Sequence, residues 1–494
     1  MLTSSVAQVR LSNRMSLRQV IRRLSSAASV VPSVQELVAQ AKPDAGGVMS
    51  ILQSRHLIES VTNDELFDLT ATDKKFKLYC GADPSAPSLH LGNLLPLMVL
   101  LNFAIRGHSV VGLVGGATGA VGDPSGRTSE RQEMADGTRI TNVGHIEKQM
   151  TTFFSRGIEY AKSRNFPVED ATREVQNNYN WWKDIGMLEF LAKYGRHIRV
   201  TQMLARDSIS SRLNSAEGLG FNEFTYQILQ AYDFYHLFKV EGVNIQVGGN
   251  DQWGNITAGV DLISRLKPNK DDKNDAYGVT VPLLTTPSGE KFGKSAGNAV
   301  FIDSEMTTPY QLYQFFINVP DEMVQRLLRS FTLLPIEVID KVVESSQKDP
   351  TLRKAQRVLA REVVDLLHGP GTGDEMAYIS SFLFNTPDMP FQDEVSADKL
   401  IKAFDKSGIL HHRQFSDYPN IDDLKLSTLL ADITGKSKRE IKNLLAQGAV
   451  YVGTDRHQVQ DPDDIILFDK ERLIDDKLLL VRLGKNNYYV VEWK

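Results

Sequence analysis

Four short apolar segments separated by helical stretches constrain the fold of this chain more than any other feature of its sequence. They are "FKLYC" (76–80), "SVVGLVGG" (109–116), "VNIQVGG" (243–249) and "YGVTVPLL" (277–284), and each ends in glycine, a turn or a polar motif. Near-continuous apolar runs of this length are typical of strands that are buried on both faces of a parallel sheet. Since an open parallel sheet binds ligands beyond the carboxyl ends of its strands, we expect the functional residues there.

The length of the chain predicts more than one domain. At 494 residues it is long for a single hydrophobic core and suggests about three units. The strand-bearing part predicts an α/β fold, a Rossmann-like parallel-sheet domain over 36–304 with a mainly helical, polar insertion at about 135–220. Patterns such as "DEMVQRLLRSFTLL" predict an α-helical domain over 305–415. The last segment, 424–494, contains "KLSTLLADITGKSKREIKNLLAQGAVYVG" and predicts a small α+β domain that begins with helix, turn, helix and strand.

Composition excludes several classes of protein. The chain is 41% hydrophobic and 24% charged, as is usual for soluble globular proteins. No uncharged apolar run approaches the roughly 18 residues that span a bilayer, so we expect no membrane insertion. A single cysteine, Cys80, excludes an intramolecular disulfide framework and any multi-thiolate metal site, and it fits a reducing compartment. We expect no thiol chemistry from it, because a lone cysteine usually behaves as a small apolar residue.

The first 35 residues differ in composition from the rest of the chain. They contain five arginines and many serines but no lysine or acidic residue, and apolar residues lie among the arginines. This composition is typical of a mitochondrial transit peptide, so we predict that residues 1–35 are a targeting segment and that the protein works in the mitochondrial matrix. The alternative interpretation is a disordered basic tail.

Two short motifs, about 200 residues apart, indicate a bound nucleotide. In "YCGADPSAPSLHLGN" (79–93) a strand leads through a Gly- and Pro-rich turn to a helix, whose free N–H groups and positive dipole end suit a phosphate. His90 would lie at that helix end. In "KFGKS" (291–295), which we call the lysine loop, two lysines flank a Phe-Gly pair. Alone, the first motif is compatible with a packed histidine and the second with a solvated turn, but together they predict a triphosphate site closed by a mobile loop.

A third motif places polar residues on one face of a helix. In "FTYQILQAYDF" (224–234) Tyr226, Gln230 and Asp233 are spaced by four and three residues. A buried face that carries Gln and Asp needs polar partners, and a bound polar ligand can supply them. Core packing remains the alternative for Tyr226.

These segments together resemble the class I aminoacyl-tRNA synthetases, whose two signatures are a His-Ile-Gly-His-like element and a Lys-Met-Ser-Lys-Ser-like loop. Here the signatures read "HLGN" and "KFGKS". The segments "LVGGATGAVGDPSGRTSER" (113–131), "FTYQILQAYDF" and "QVGGNDQWGNITAG" (246–259) are similar to those of tyrosyl-tRNA synthetases of the bacterial and mitochondrial type. The resemblance covers almost everything after about residue 48. It implies activation of tyrosine with ATP to tyrosyl-AMP and transfer to the 3′ end of tRNA(Tyr).

The same resemblance assigns residues to each substrate. It implies that Tyr79 and Asp233 hydrogen-bond the phenol of tyrosine, and that Tyr226, Gln230 and Asp123 hold its ammonium group. The other tyrosine-binding residues would be Asn178 and Gln252. The ATP-binding residues would be Cys80, Gly81, Asp83, Gly92, Asn93, Gly249, Asp251, Phe292 and Ser295. The catalytic residues, which would surround the leaving pyrophosphate in the transition state, would be Ser85, His90, Arg127, Arg131, Lys291 and Lys294.

Two of these positions depart from the family's motifs. Asn93 stands where the signature usually has a second histidine, and Arg127 stands where a lysine is common after "DPSG". Asn93 can still hydrogen-bond a ribose. Arg127 keeps the positive charge, but its donor geometry differs from that of lysine.

The resemblance also predicts cofactors and partners. ATP would arrive with Mg²⁺ held largely by its own phosphates, and no protein-bound metal or prosthetic group is expected. The C-terminal segment resembles a small RNA-binding fold shared with a ribosomal small-subunit protein. Family members are homodimers, and "GLGFNEF" (218–224), with Phe221, resembles part of their interface. The tRNA-binding residues would be Lys436, Lys438, Arg439 and Lys442, for which a solvated helix face is the alternative.

Two other functions remain open at this stage. Tryptophanyl-tRNA synthetase shares the fold and both loops, although Asp233 with Tyr79 favours a phenol. From a different class comes an RNA-binding or intron-splicing factor on an inherited synthetase scaffold. A degenerate member of that kind should have lost the lysine loop, and this chain retains it.

Overall fold

The structure is a computed structural model of the chain. The predicted targeting segment, 1–35, lies outside the residues that it describes. Those residues are 36–38, 41, 44–125, 134–206, 209–210, 213, 218–269, 275–286, 292, 294–295, 298–384, 393, 395–418, 423–461, 473–484 and 487–494.

A six-stranded sheet forms the centre of the first part of the chain and confirms the predicted α/β class. Its strands are β1 (Ser60–Val61), β2 (Lys77–Ala82), β3 (Ser109–Val114), β4 (Arg173–Asn177), β5 (Ile245–Gly249) and β6 (Tyr277–Val281). They lie in the order β1-β6-β5-β2-β3-β4. All neighbours are parallel except β1, which pairs antiparallel with β6.

Both faces of this sheet are covered, which explains the continuous apolar runs of its central strands. Leu78 and Val110 on one face belong to one hydrophobic core cluster, whereas Val111 and Leu113 on the other face belong to a second. Successive side chains of a strand point to opposite faces, so β2 and β3 contribute to both cores.

One strand of the sheet, β4, lies inside the segment predicted as a helical insertion. Its sequence, "REVQN", is polar and only partly buried, because β4 is an edge strand. An edge strand needs no continuous apolar run, so the pattern that identifies the central strands is absent here.

Helices flank the sheet and form much of the described part of the insertion. The 28-residue helix α5 packs over β3 and β4, and α9 packs beside α10. The helices of this part are α1 (Val48–Ser54), α2 (Glu65–Leu69), α3 (Leu91–Ala104), α4 (Thr118–Val121), α5 (Asp136–Ser163), α6 (Tyr179–Trp182), α7 (Met187–Lys193), α8 (Val200–Leu204), α9 (Phe221–Glu241) and α10 (Trp253–Arg265), with 3₁₀ turns at Gly195–His197 and Asn250–Gln252.

A group of helices follows two very short strands, β7 (Lys294–Ser295) and β8 (Asn298–Ala299), which pair antiparallel. Among the described residues of the whole chain, no helix has both the length and the apolar character of a membrane span. The helices of this group are α11 (Pro309–Ile317), α12 (Asp321–Phe331), α13 (Ile336–Lys348), α14 (Lys354–His368), α15 (Thr372–Phe384) and α16 (Ala397–Phe404), with a 3₁₀ turn at Pro350–Leu352.

The C-terminal part is a second sheet with two helices, α17 (Leu426–Thr434) and α18 (Lys438–Ala446). Its strands are β9 (Leu410–Arg413), β10 (Val450–Val452), β11 (His457–Val459), β12 (Leu473–Ile474), β13 (Leu478–Leu483) and β14 (Asn487–Trp493), and a 3₁₀ turn lies at Phe415–Asp417. β9 pairs parallel with β14, so this sheet takes a strand from the segment predicted to be helical, 305–415.

The second sheet is packed against the helical group and does not stand apart from it. In β13, Leu478 and Leu480 belong to the core of the first part, whereas Leu479 and Val481 belong to the C-terminal core with α17 and α18. The hydroxyl of Tyr488 in β14 also donates to the backbone oxygen of Leu383, at 3.2 Å.

Candidate active site

A cleft of about 350 Å³ opens at the carboxyl ends of β2, β5 and β6. Its inner part, which we call the deep end, is lined by Tyr79, Asn178, Asp233 and Gln246. Its outer part, which we call the mouth, is lined by the segment 83–93 and by Phe292. The cleft therefore lies where an open parallel sheet is expected to bind a ligand.

A buried carboxylate dominates the deep end. Asp233, on α9, is 2% exposed and accepts three hydrogen bonds from side-chain N–H groups. The indole nitrogens of Trp181 and Trp182 donate to Oδ1, at 2.8 and 2.7 Å, and Asn178 Nδ2 donates to Oδ2, at 3.0 Å. A carboxylate has about two acceptor positions on each oxygen, so Oδ1 is filled and Oδ2 retains one position.

The orientation of Asn178 is itself fixed. Its amide oxygen accepts from the backbone nitrogen of Ala117, at 2.8 Å, and its amide nitrogen also donates to the hydroxyl of Thr118, at 2.9 Å. The amide nitrogen must therefore face Asp233.

Burial and hydrogen bonding act in opposite directions on Asp233. Desolvation raises the pKa of this carboxyl to about 7, although the hydrogen bonds from Asn178, Trp181 and Trp182 favour the charged form and lower it. The group is therefore poised between its ionised and neutral forms near neutral pH.

Two polar atoms at the deep end are buried and have no hydrogen-bond partner among the described residues. They are the hydroxyl oxygen of Tyr79 and Oε1 of Gln246. Burial, and then the charge of Asp233, raise the pKa of Tyr79 well above its ordinary value, so its phenol remains neutral. Buried polar groups are normally paired, so both atoms indicate a ligand with polar groups.

A second polar cluster lies between the deep end and the mouth. Gln252 Nε2 donates to Asp123 Oδ2 at 2.7 Å, and Gln230 Nε2 donates to Gln252 Oε1 at 3.2 Å. The Tyr226 hydroxyl donates to Asp83 Oδ2 at 2.9 Å. The helix face predicted from the spacing of Tyr226, Gln230 and Asp233 does point into the cleft.

At the mouth, His90 is the N-cap of α3 and its ring is held by its own helix. The backbone N–H of Gly92 donates to His90 Nδ1 at 3.0 Å, and the backbone N–H of His90 donates to Asn93 Oδ1 at 3.1 Å. A Cβ atom at position 92 would lie 2.7 Å from Cε1 of the ring, so the close approach requires glycine. Asn93, the departure from the usual signature, is thus half of a reciprocal cap.

Gln149 of α5 holds the segment before His90. Its Oε1 accepts from the backbone N–H of Leu89 at 2.9 Å and from the Ser88 hydroxyl at 3.2 Å. Its Nε2 donates to the backbone oxygen of Pro87 at 3.1 Å and to Asp303 Oδ2 at 3.0 Å. One buried amide therefore joins α5, the mouth segment and the chain that follows the lysine loop.

The lysine loop and the chain that follows it are attached to neighbouring structure. Within the loop, the ring of Phe292 packs on Phe315 of α11, with ring centroids 5.2 Å apart. After it, Phe301 forms an antiparallel bridge with His90, and the Leu91 N–H donates to the backbone oxygen of Val300 at 3.1 Å.

The structure brings most of the predicted substrate residues to one cleft. Arg127, Arg131 and Lys291 lie outside the described residues, and for Lys294 and Ser295 only the backbone is described. Cys80 packs in the core instead of lining the cleft, and burial raises the pKa of its thiol to about 12. The predicted residues that line the cleft are Tyr79, Gly81, Asp83, Ser85, His90, Gly92, Asn93, Asp123, Asn178, Tyr226, Gln230, Asp233, Gly249, Asp251, Gln252 and Phe292.

The remaining predicted residues lie elsewhere. Phe221 begins α9 and is 71% exposed. Three of the C-terminal basic residues, Lys438, Arg439 and Lys442, lie on α18, and Lys436 just precedes it; all four are exposed.

Sequence reasoning missed several residues of the site. Trp181 and Trp182 hydrogen-bond to Asp233, and Gln149 hydrogen-bonds to Leu89. These partners are far apart in the sequence, so no local pattern predicts the contacts. Gln246 did have a signal, because it interrupts the apolar strand run "VNIQVGG" with a polar side chain that is 3% exposed.

Comparisons with known proteins found a matching family model and similar relatives. A family model described as "tRNA synthetases class I (W and Y)" matches residues 71–385. The chain is 48% identical over 469 residues to the mitochondrial tyrosine–tRNA ligase of Saccharomyces cerevisiae, covering 94% of this chain and 92% of that one. It is 38% identical over 443 residues to the tyrosine–tRNA ligase of Staphylococcus haemolyticus, covering 90% and 98%.

This chain is also similar to a solved structure, that of a C-terminally truncated mitochondrial tyrosyl-tRNA synthetase from Aspergillus nidulans. The TM-score is 0.63 and the sequence identity is 36%. The similarity covers 71% of this chain and 97% of that chain.

Proposed function

The chain belongs to the class I tRNA synthetases for tryptophan and tyrosine, and we propose that it is a tyrosine–tRNA ligase. It activates tyrosine with ATP to give tyrosyl-AMP and pyrophosphate, and it then transfers the tyrosyl group to the 3′ end of tRNA(Tyr). The relatives named as tyrosine–tRNA ligases support tyrosine over tryptophan.

The observation that carries this proposal is the deep end of the cleft. Asp233 Oδ2 retains one acceptor position, and the buried Tyr79 hydroxyl has no partner among the described residues. A phenol hydroxyl both donates and accepts, so it can donate to Asp233 and accept from Tyr79. Phenylalanine would leave both groups unpaired, and tyrosyl-tRNA synthetases are the general example of rejection on this ground.

The polar cluster beyond the deep end suits the backbone of the amino acid. Asp123 carries a carboxylate that can pair with the ammonium group, and Tyr226 and Gln230 project from the same helix face beside it. Gln252, which already donates to Asp123, orients that carboxylate. The carboxylate of tyrosine would then be directed toward the mouth.

In the first step the tyrosine carboxylate attacks the α-phosphate of ATP and releases pyrophosphate. The nucleophile loses no proton, so the protein's task is to position the reactants and to stabilise charge on the leaving group. His90 and the N-terminus of α3 line the mouth where phosphates would lie. The other residues that we propose for this charge are Ser85, Arg127, Arg131, Lys291 and Lys294.

Magnesium accompanies ATP in this proposal. Over the ranges of the chain that the structure describes, no group of three or more His, Cys, Asp or Glu side chains is placed to hold a metal ion. We propose that Mg²⁺ is held mainly by the phosphates of ATP and neutralises part of their charge.

In the second step a terminal ribose hydroxyl of tRNA attacks the adenylate. The exposed basic residues at the start of α18 suit contacts with tRNA phosphates. We propose this role for Lys436, Lys438, Arg439 and Lys442, with the helical domain on the anticodon side.

We also propose that the enzyme is a homodimer. Large apolar side chains are exposed along the chain between 187 and 221, including Leu188 at 82% and Phe221 at 71%. Monomeric proteins seldom expose a group of this kind without a partner surface. The other members of the group are Met187, Leu191, Val200, Leu204 and Leu213.

A mitochondrial location is supported by the name of the Saccharomyces cerevisiae relative and by the composition of residues 1–35. We propose that the enzyme serves translation in the matrix. Mass spectrometry of the protein from isolated organelles should show a start well after Met1, whereas an intact Met1 would contradict import by cleavage.

The exchange of label between pyrophosphate and ATP tests the function directly. We expect exchange that depends on tyrosine, and exchange stimulated by tryptophan alone would overturn the assignment. The variant Lys294→Ala should nearly abolish exchange while circular dichroism remains unchanged. A wild-type protein that binds RNA but supports no exchange would favour a binding-only role.

A further inference from the structure

Two adjacent indoles share one carboxylate oxygen at the deep end. Trp181 and Trp182 both donate to Oδ1 of Asp233, and the second contact, at 2.7 Å, is the shorter. These donors fill Oδ1, because a carboxylate oxygen has about two acceptor positions. Only Oδ2, which accepts from Asn178, can take one more hydrogen bond.

The indole of Trp182 is held from two other elements. Its ring lies 5.2 Å from that of Phe190 on α7 and 5.0 Å from that of Tyr232 on α9. Both contacts are made by ring atoms, so they leave the N–H of Trp182 directed at Asp233. Aromatic pairs at these separations restrict ring orientation.

We propose that Trp182 is a specificity-determining positioning residue: by occupying the second acceptor position of Asp233 Oδ1, its N–H leaves a single position, on Oδ2, for the hydroxyl of the amino-acid side chain. This inference rests on the proposed function. Without the second indole, Oδ1 could accept a water molecule or the carboxylate could rotate. Either change would lower the cost of binding a side chain that has no hydroxyl.

The proposal predicts a change in pH dependence as well as in specificity. The carboxyl of Asp233 has a pKa of about 7, and the N–H of Trp182 stabilises its ionised form. Removing that donor should raise the pKa, so the acidic limb of kcat/KM for tyrosine should shift to higher pH. The other titratable groups facing this carboxyl or its indole partners are Asp83, Tyr79, Tyr226, Tyr232 and His236.

The test compares Trp182→Phe with Phe190→Leu in the full-length protein. The first variant removes the N–H and keeps an aromatic ring, whereas the second weakens the packing of Trp182 and keeps its N–H. Exchange between ATP and pyrophosphate is measured with tyrosine and with phenylalanine between pH 6 and 9, together with Tm. For Trp182→Phe we expect the preference for tyrosine to fall by roughly tenfold or more, since a hydrogen bond to a charged group is lost.

The outcomes separate a positioning role from a structural one. A shifted acidic limb and reduced preference in Trp182→Phe, with smaller changes of both in Phe190→Leu, which keeps the N–H, would support the proposal. An unchanged limb and preference in Trp182→Phe, or changes in Phe190→Leu that equal or exceed those in Trp182→Phe, would overturn it. Failure of the wild-type protein to catalyse tyrosine-dependent exchange would instead contradict the proposed function.

Discussion

The deep end and the mouth of the cleft are built from different kinds of contact. At the deep end, side chains bond to side chains: two indoles and an amide converge on Asp233. At the mouth, backbone groups predominate: the N–H of Leu89 bonds to Gln149, and the N–H of Leu91 bonds to the oxygen of Val300. The first arrangement fixes the direction of individual acceptor atoms, and the second fixes the path of a segment.

This difference suits the two tasks that we propose. Selection of an amino acid depends on a few directed hydrogen bonds that a wrong ligand leaves unpaired. Stabilisation of a leaving pyrophosphate depends on placing several charges around it mainly in the transition state. Substitutions at the deep end should therefore change KM and discrimination for tyrosine, whereas substitutions at the mouth should change kcat.

The largest effect should follow Asp233→Asn. The amide cannot accept from three N–H groups and a phenol as a carboxylate does, and buried donors would lose their charged partner. We expect kcat/KM for tyrosine to fall by about a hundred- to several-thousandfold, because breaking a buried charged interaction costs roughly 3–5 kcal/mol. KM for ATP should remain near its wild-type value.

Steady-state exchange kinetics at varied tyrosine and varied ATP check this expectation. Asp68→Asn, which changes an exposed carboxylate on α2, is the matched control and should behave as the wild type. If Asp233→Asn raised KM for ATP as much as KM for tyrosine, the deep end and the mouth would not act separately on the two substrates.

A smaller effect, on kcat and not on KM for tyrosine, should follow Gln149→Leu. The substitution leaves the buried N–H of Leu89 and oxygen of Pro87 without their side-chain partner, and it frees Asp303 from α5. We expect kcat for tyrosine activation to fall by roughly tenfold or more, since each unsatisfied group costs about 1–3 kcal/mol. KM for tyrosine should change little.

Rapid-quench measurement of adenylate formation distinguishes this result from slow product release. Gln149→Glu retains acceptors for Leu89 and Ser88 but loses the donor to Pro87 and sets a second carboxylate against Asp303, so its kcat should fall as well. A raised KM for tyrosine with normal kcat would contradict the assigned role.

The two ends also differ in how far the sequence predicts them. The helix face of Tyr226, Gln230 and Asp233 follows from spacing alone, because helical geometry is local. The four apolar strands are also predicted, because a continuous apolar run is likewise a local pattern. The polar edge strand β4 and strand β9 are not, because an edge position removes the need for an apolar run.

Long-range contacts are the part that no local pattern encodes. Gln149 meets Leu89 across 60 residues, and Trp182 meets Asp233 across 51. The resemblance supplied Tyr79 and Asp123, since those positions lie in recognisable motifs. It did not supply Gln149, Trp181 or Trp182, because a side chain on a helix gives no indication of which distant group it will contact.

The smallest effect should follow Tyr79→Phe, and it separates recognition from stability. The hydroxyl that this change removes is buried without a partner among the described residues, so the folded protein loses no hydrogen bond there. We expect Tm to stay equal or rise slightly, because a desolvated hydroxyl is removed. The preference for tyrosine over phenylalanine should fall by about five- to tenfold, the loss of one neutral hydrogen bond. Thermal unfolding and exchange with both amino acids measure the two quantities. If Tm falls together with the preference for tyrosine, the Tyr79 hydroxyl has a hydrogen-bond partner in the free enzyme. Its bonding position would then not be reserved for a ligand.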